Sequence, residues 1–435
     1  MFNRFLAFIQ HKTNYLYENS YILQKLDSLI LLSILAVFIV STFAQSDFIA
    51  IFAMFAIVLT VLKLLIKKGE RIDCSNFEVF LLAYCMFVIV SLFGSTMFSL
   101  SLHGFLKMVV YIGFYLAMVQ YLKENKDKIW WIFLTMSACL FYETAQGLMQ
   151  SVIRPEEIST WQDVSNLNPE QIMSRVYGTL KPLNPNLLGG YMVAGIPALF
   201  CVTAHEFYYK RYVNSAVLAI ISLLAIYVLF STGCRGSYLA LIAMVITLIV
   251  LSAKFFWNKY KQIYISLVSL VTAIGSFLVL SVPALRARLF SIFVMRADSS
   301  NSFRFNVYNS CLEMLRDNWL LGIGLGNQNF REIYGLYMKT GFDALSAYNI
   351  YLEIAVESGI FALISFVAFL YLLLKSAFDY IKNSTDVKSL IFVITAFVSI
   401  IGLLVHGMVD TVFFRPQIHF IFWTMVAIIN VLVRK

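Results

Sequence analysis

Charge is scarce in this chain. Only 13% of its 435 residues are charged and 60% are hydrophobic, where a soluble protein carries about 25% charged residues. Half the usual charge cannot cover the surface of a soluble protein of this length, so soluble multidomain architectures are excluded. Proline is scarce as well. Seven residues leave little room for disordered or low-complexity stretches. The six cysteines, Cys74, Cys85, Cys139, Cys201, Cys234 and Cys311, are scattered with no C-x-x-C, which indicates neither a zinc site nor a disulfide scaffold. Walker A and H-E-x-x-H sequences are also missing, so no motif implies ATP or a divalent metal, and no cofactor is expected.

What the chain has instead is long apolar runs, with a mean hydropathy of +0.79. A bilayer-spanning helix needs about 20 mostly apolar residues. Twelve stretches qualify: Leu26–Phe43, Phe48–Ile66, Phe77–Gly94, His103–Leu122, Ile129–Leu148, Leu187–His205, Tyr212–Phe230, Gly236–Trp257, Ile263–Val282, Tyr351–Leu374, Leu390–His406 and Pro416–Val433. The runs are continuous and do not alternate, which excludes a closed β-barrel. The expectation is an all-α polytopic membrane protein of about twelve transmembrane helices, forming one membrane domain over residues 1–435. No cleavable signal peptide is expected, and the first apolar helix reads as an uncleaved anchor.

The net charge of +9 raises the question of nucleic acid. Its distribution answers that question. With the N-terminus in the cytoplasm, one side collects Arg4, Lys12, Lys25, Lys63, Lys67, Lys68, Arg71, Lys123, Lys126, Lys128, Lys210, Arg211, Lys254, Lys259, Lys261, Lys375, Lys382, Lys388, Arg434 and Lys435. The short loops on the other side hold only Arg235 and Arg415. This is a positive-inside pattern, with both termini cytoplasmic. A nucleic-acid surface would be one contiguous patch with aromatic platforms, so no nucleic-acid partner is expected. Lipids surround the chain.

Two segments fall on the external face, about 149–186 and 283–350. The second carries Arg286, Arg288, Arg296, Arg304, Arg316 and Arg331, which topology does not explain. Neither segment has a D-x-D for a metal-bound sugar nucleotide. Within the second, Phe305, Tyr308, Leu312 and Leu315 recur at helical spacing, so an amphipathic helix is expected over Arg304–Asp317, preceded by candidate N-caps at Asp298–Asn301. Gly322, Gly324 and Gly326 read as a helix stop and tight turn, since no βαβ unit surrounds them. A short helix is expected over Asn329–Met338.

Five polar features stand out. Arg235 lies in the small-residue break Ser231-Thr232-Gly233-Cys234-Arg235-Gly236-Ser237, at the edge of the hydrocarbon. There a guanidinium either snorkels or binds phosphate oxygens in bidentate fashion. Arg304 opens the expected loop helix, within reach of an external anion. Glu353 and Glu357 are four apart on one helical face. Two carboxylates at such depth need partners, either an arginine from the long loop or protons. His406, Asp410 and Arg415 form another cluster, for which an Asp410–Arg415 salt bridge is the simplest pairing. Asn184-Pro185-Asn186 is a turn into a helix, capped by Asn186 or offering its amides to sugar hydroxyls, with Arg175, Tyr177 and Lys181 upstream.

Together these residues resemble a known pattern. The Arg-Gly break is followed by a long external loop holding Arg304 and Asp317-Asn318-Trp319-Leu320-Leu321-Gly322-Ile323-Gly324-Leu325-Gly326-Asn327. Then come Tyr348-Asn349 and Glu357-Ser358-Gly359. Over about residues 180–430 the chain is similar to the O-antigen ligase and polymerase superfamily of bacterial polysaccharide enzymes. Within that group, Ala344–Tyr348, His406–Val412 with Arg415-Pro416-Gln417, and Arg175-Val176-Tyr177-Gly178 with Asn184–Leu188 resemble the branch known in cyanobacteria for inorganic-carbon accumulation.

The resemblance implies a glycosyltransferase in the bacterial inner membrane. Such an enzyme takes a glycan from an undecaprenyl-diphosphate carrier on the external face and passes it to a glycan or lipid acceptor, as a ligase or a polymerase. It implies that Arg235 and Arg304 stabilise the diphosphate, with Tyr348, Glu353 and Glu357 as further catalytic candidates. Arg175, Asn184, Asn186, Asn349, His406, Asp410 and Arg415 are substrate-binding candidates. The ligases carry a histidine immediately before the loop–helix Asn, where this chain has Tyr348. A phenol with a pKa near 10 is a poor base at neutral pH, so either Glu353 or Glu357 acts in its place, or the reaction differs, as in a polymerase, or the protein is a non-catalytic member of the fold. The alternative is a bicarbonate transporter or transport-associated protein.

Overall fold

A computed structural model of the chain describes residues 2–153, 175–290 and 299–434. Among these residues there is no strand, and helices dominate. The helices run α1 Phe2–Asn19, α2 Tyr21–Gln24, α3 Leu26–Ser41, α4 Ser46–Ile66, α5 Glu78–Gly94, α6 Phe98–Glu124, α7 Ile129–Ile153, α8 Pro185–Tyr208 and α9 Tyr212–Ser231. They continue with α10 Arg235–Ser281, α11 Pro283–Phe290, α12 Ser299–Asp317, α13 Asn327–Tyr334, α14 Ile350–Ser358, α15 Ile360–Asn383, α16 Val387–His406 and α17 Pro416–Val433. Eight described helices are long and apolar enough to cross a membrane: α4, α6, α8, α9, α10, α15, α16 and α17. The apolar α3 and α5 are shorter. The protein is an all-α integral membrane protein. The sequence expectation of about twelve spans stands against these eight long helices, one of which turns back on itself.

That helix is α10. Tyr260, at φ −129°, ψ 31°, breaks its helical geometry. Tyr264 Oη lies 3.0 Å from Ser252 Oγ and donates to the Ile249 carbonyl, and the Phe256 and Tyr264 rings stack at 5.7 Å. A straight helix would separate residues 249 and 264 by about 22 Å. The chain therefore reverses at Tyr260, between the two apolar stretches read as Gly236–Trp257 and Ile263–Val282.

The core gathers around α8, α16 and α17. Helix α8 packs on α7, α9, α10, α16 and α17, and α17 also meets α6 and α15. These three helices are buried nearly all round. Outer helices instead show apolar stripes outward, such as Ile242, Ile246 and Val250 on α10. Outward apolar surface on this scale is stable only against lipid.

Three local readings change. Helix α1 was not expected. It docks on the end of α4, where Gln10 Nε2 donates to the carbonyls of Leu64 and Glu70 and Thr13 Oγ1 to that of Leu65. The expected continuous span Tyr351–Leu374 is divided at Gly359, whose φ of +83° ends α14 and starts α15. The amphipathic loop helix begins at Ser299, earlier than Arg304, so Asn301 lies inside it and is no cap. Asp298 and Arg296 lie outside the described residues, as does most of the first expected external segment.

Candidate functional site

The polar residues collect at one end of the bundle, where α8, α10 and α17 begin and α9 and α16 end. Asn184, and not Asn186, caps α8. Its side chain accepts from Asn186 N at 2.8 Å, and Pro185 takes the first helical position, where no N–H is needed. This frees the Asn186 amide for side-chain contacts. Arg175 Nη2 donates to Asn186 Oδ1 at 2.6 Å and Nε to the Thr232 carbonyl at 2.7 Å. Arg175 thereby ties the start of α8 to the carbonyl end of α9, where a cation is favoured. Gly233, at φ +63°, lies under this guanidinium, and a Cβ there would sit 3.1 Å from Arg175 Nε.

Asn186 Nδ2 donates in turn to Asp410 Oδ2 at 3.0 Å, while Asp410 Oδ1 accepts from Val412 N at 3.1 Å. The expected Asp410–Arg415 pair is therefore corrected. Asp410 is buried and its oxygens serve Asn186 and a backbone amide, while Arg415 is exposed and faces a cavity. Arg235, half-buried, is the first residue of α10. Its neighbour Cys234 places Sγ 3.6 Å from His406 Nε2, both residues being buried. Burial alone would raise the Cys234 thiol, but the adjacent imidazole outweighs it and lowers the thiol to about 7. Cys234 is not among the site residues expected from the sequence. A cysteine–histidine pair 172 residues apart leaves no sequence signal.

Segment 406–415 joins these contacts to the loop. The Met408 carbonyl accepts from Asn349 Nδ2 at 3.0 Å and the Gly407 carbonyl from Ile350 N at 2.8 Å. Ser346 Oγ and Thr411 Oγ1 are 2.5 Å apart. Asn349 also caps α14, accepting from the amides of Tyr351 and Leu352. Tyr348 before it adopts φ +50°, and Tyr308 of α12 donates to its carbonyl at 3.1 Å. The Arg304 guanidinium lies 5.8 Å from the Tyr348 ring centroid, and Nη1 donates to Ser300 at 2.8 Å. Arg304 Nε is buried with no hydrogen-bond partner among the described residues. Burial pushes the Tyr348 phenol up and the charge of Asp410 adds to this, with Arg304 offsetting part. Tyr348 thus holds its proton more tightly than a free phenol, which leaves less phenolate to accept one.

The two glutamates stand apart from Arg235 and Arg304. Glu353 Oε2 accepts from Ala347 N at 3.1 Å and Glu357 Oε1 from Gly326 N at 2.9 Å. Among the described residues, backbone amides and not a loop arginine are their partners. Both line a cavity of about 310 Å³ with Lys107, Asn327, Thr411 and Arg415, among others. Neither Arg235 nor Arg304 lines it. Burial raises Glu353 well above the carboxylate range, and repulsion from Glu357 adds to it; burial brings Glu357 to about 7. Gly322, Gly324 and Gly326 all have positive φ, in keeping with a tight turn, and this turn supplies the Glu357 amide partner. Among the described residues no three His, Cys, Asp or Glu side chains gather to hold a metal.

An all-α membrane fold with a loop-bearing polar end defines the class of protein. Residues 220–367 match the family model described as O-antigen ligase. Over that stretch the chain is similar to the O-antigen ligase superfamily, which supports a membrane glycan ligase or polymerase type of protein. The match runs through Arg235, Arg304, Tyr348, Glu353 and Glu357 and stops before segment 406–415. No curated protein matches the chain.

Proposed function

We propose that the protein transfers or polymerises a glycan from an undecaprenyl-diphosphate carrier on the external face of the bacterial inner membrane. One observation carries this reading. Segment 406–415 gathers Asn186 of α8, Cys234 beside Arg235, Tyr308 beside Arg304, and Tyr348–Asn349 onto one end of the bundle. Two guanidiniums near a diphosphate would stabilise the charge that builds on it as the glycosidic C–O bond breaks and the carrier diphosphate leaves. Arg304 fits this part, because its buried Nε has a proton to donate and no acceptor among the described residues.

The acceptor hydroxyl must lose a proton as it attacks the sugar carbon. Tyr348 is a poor recipient. Glu353 is the better candidate, because one of its oxygens has no hydrogen bond among the described residues and burial raises its proton affinity above that of an ordinary carboxylate. Transport is the weaker reading, since the polar groups sit at helix ends and not at the middle of paired broken helices.

The test is a strain lacking the gene, complemented with variants, with surface glycans and lipid-linked intermediates measured together. Arg235→Ala and Arg304→Ala should each lower transfer about 10²–10³-fold and cause lipid-linked glycan to accumulate. Lysine at either position should restore only part, because it cannot form the bidentate fork. Unchanged glycan profiles with both arginines removed would refute the proposal.

A further inference from the structure

The cavity that holds Glu353 and Glu357 has a composition the arginine network does not explain. It lies between the starts of α4, α6 and α17, the 325–327 turn and α14. Its volume of about 310 Å³ falls at the low end of sites for small ligands, which run ~300–1,000 Å³. Its inner wall is aromatic, with Tyr84, Tyr111, Phe366, Phe420 and Trp423. Lys107 and Arg415 line it too, are exposed, and have no hydrogen bond or ion pair from their side chains among the described residues. Glu353 is 3% exposed. One of its oxygens is held by Ala347 N–H, and the other has no hydrogen bond among the described residues.

Each feature narrows the ligand. Asp47 lines the cavity as well, but neither Lys107 nor Arg415 is held in an ion pair with it or with the glutamates among the described residues, so both are left to bind an anionic group. A buried carboxyl oxygen with no hydrogen bond of its own suits a hydroxyl donor. Flat aromatic walls suit the apolar face of a ring. A bare metal ion would meet Lys107 and Arg415 with like charge, and a lipid tail would leave the polar groups unanswered.

We propose that this cavity binds a sugar bearing a phosphate or carboxylate group, with the anion between Lys107 and Arg415 and a hydroxyl against Glu353. Its role as the acceptor pocket rests on the transfer reading given above. The binding itself does not.

The experiment uses the full chain in phosphatidylcholine nanodiscs, with glucuronic acid and glucose 1-phosphate as probes, read by calorimetry. Glucose and inorganic phosphate separate the ring from the anion. At least one acidic sugar should bind, at least tenfold more tightly than glucose or phosphate. Arg415→Gln and Lys107→Gln should each weaken it at least tenfold, and Arg415→Lys should keep most of it, which guards against misfolding. Absence of binding by both probes, or equal binding by Arg415→Gln, overturns the proposal. A loss in Arg235→Ala as large as in Arg415→Gln also overturns it, by moving the probe to the arginine site. Binding of neither sugar together with retention of phosphatidylglycerol would reassign the cavity to a lipid headgroup. If Arg235→Ala leaves glycan transfer intact while the sugars still bind, the transfer reading fails and the sugar site stands.

Discussion

At the scale of single residues, the polar groups of this protein are mostly used in pairs that join distant parts of the chain. Arg175 holds Asn186, and Asn186 holds Asp410, 224 positions away. Each link spends a charge or amide that the sequence presents as free for substrate. Glu353 and Glu357 make the opposite case, since backbone amides leave much of their bonding capacity open. Their raised affinity for protons has a consequence for stability. An unfolded glutamate releases its proton near 4.5, whereas burial brings folded Glu357 to about 7. Between these values the folded chain binds more protons than the unfolded one. The contribution is therefore complete below about pH 4.5 and is lost as pH rises through about 7. Glu357→Gln should remove that dependence. Its unfolding temperature should gain roughly 2–4 °C on the parent between pH 5 and pH 8, followed by thermal unfolding in detergent. Parallel pH profiles for the two proteins would refute this.

At the scale of elements, turns decide where the loop meets the bundle. Gly359 has φ +83°, and a Cβ there would lie 2.2 Å from the Leu320 carbonyl oxygen. The same contact region supplies the bond from Ile360 N to the Trp319 carbonyl. Gly341 has φ +88° but open space around it. Gly341→Ala should therefore cost only backbone strain, on the order of 1 kcal/mol. Gly359→Ala must add a displaced loop to that and should cost clearly more. Unfolding temperatures rank the two, and an equal effect would show that the close approach at Leu320 is not a constraint. The hydrophobic pattern marked Tyr351–Leu374 as one continuous run because composition is apolar on both sides of Gly359. Only the backbone conformation of that glycine separates α14, which carries the glutamates, from α15.

At the scale of the whole molecule, the distribution of lysine and arginine predicts both termini in the cytoplasm. Cys74, between α4 and α5, is exposed, while the other five cysteines are buried or half-buried. In intact cells a membrane-impermeant maleimide should leave Cys74 unlabelled and should label Gly341→Cys in the loop after α13. Labelling of Cys74 from outside would invert the topology and move the candidate site to the cytoplasmic face. The end of the bundle where Cys74 lies has its own ion clusters. Lys63 contacts Asp27, Glu70 and Glu124 at 2.6–3.1 Å, and Arg434 contacts Glu78 at 2.7 Å. Such buried pairs chiefly avoid the cost of isolated charge and were invisible in a reading that counted lysines only as topology signals.

The scarcity of charge and the length of the apolar runs determined, without tertiary information, that this is a helical membrane protein. Those properties are local and additive, since each stretch must satisfy the bilayer by itself. The Arg-Gly break, the long arginine-bearing loop and the Asn349 junction were legible for the same reason, as interruptions of an apolar pattern. The tertiary structure decided what touches what. It brought Cys234 to His406, gave Asp410 to Asn186 in place of Arg415, and set Glu353 and Glu357 in a cavity away from Arg235 and Arg304. The two contacts join residues 172 and 224 positions apart. Their energies depend on how the helices pack, which no local property of the chain records.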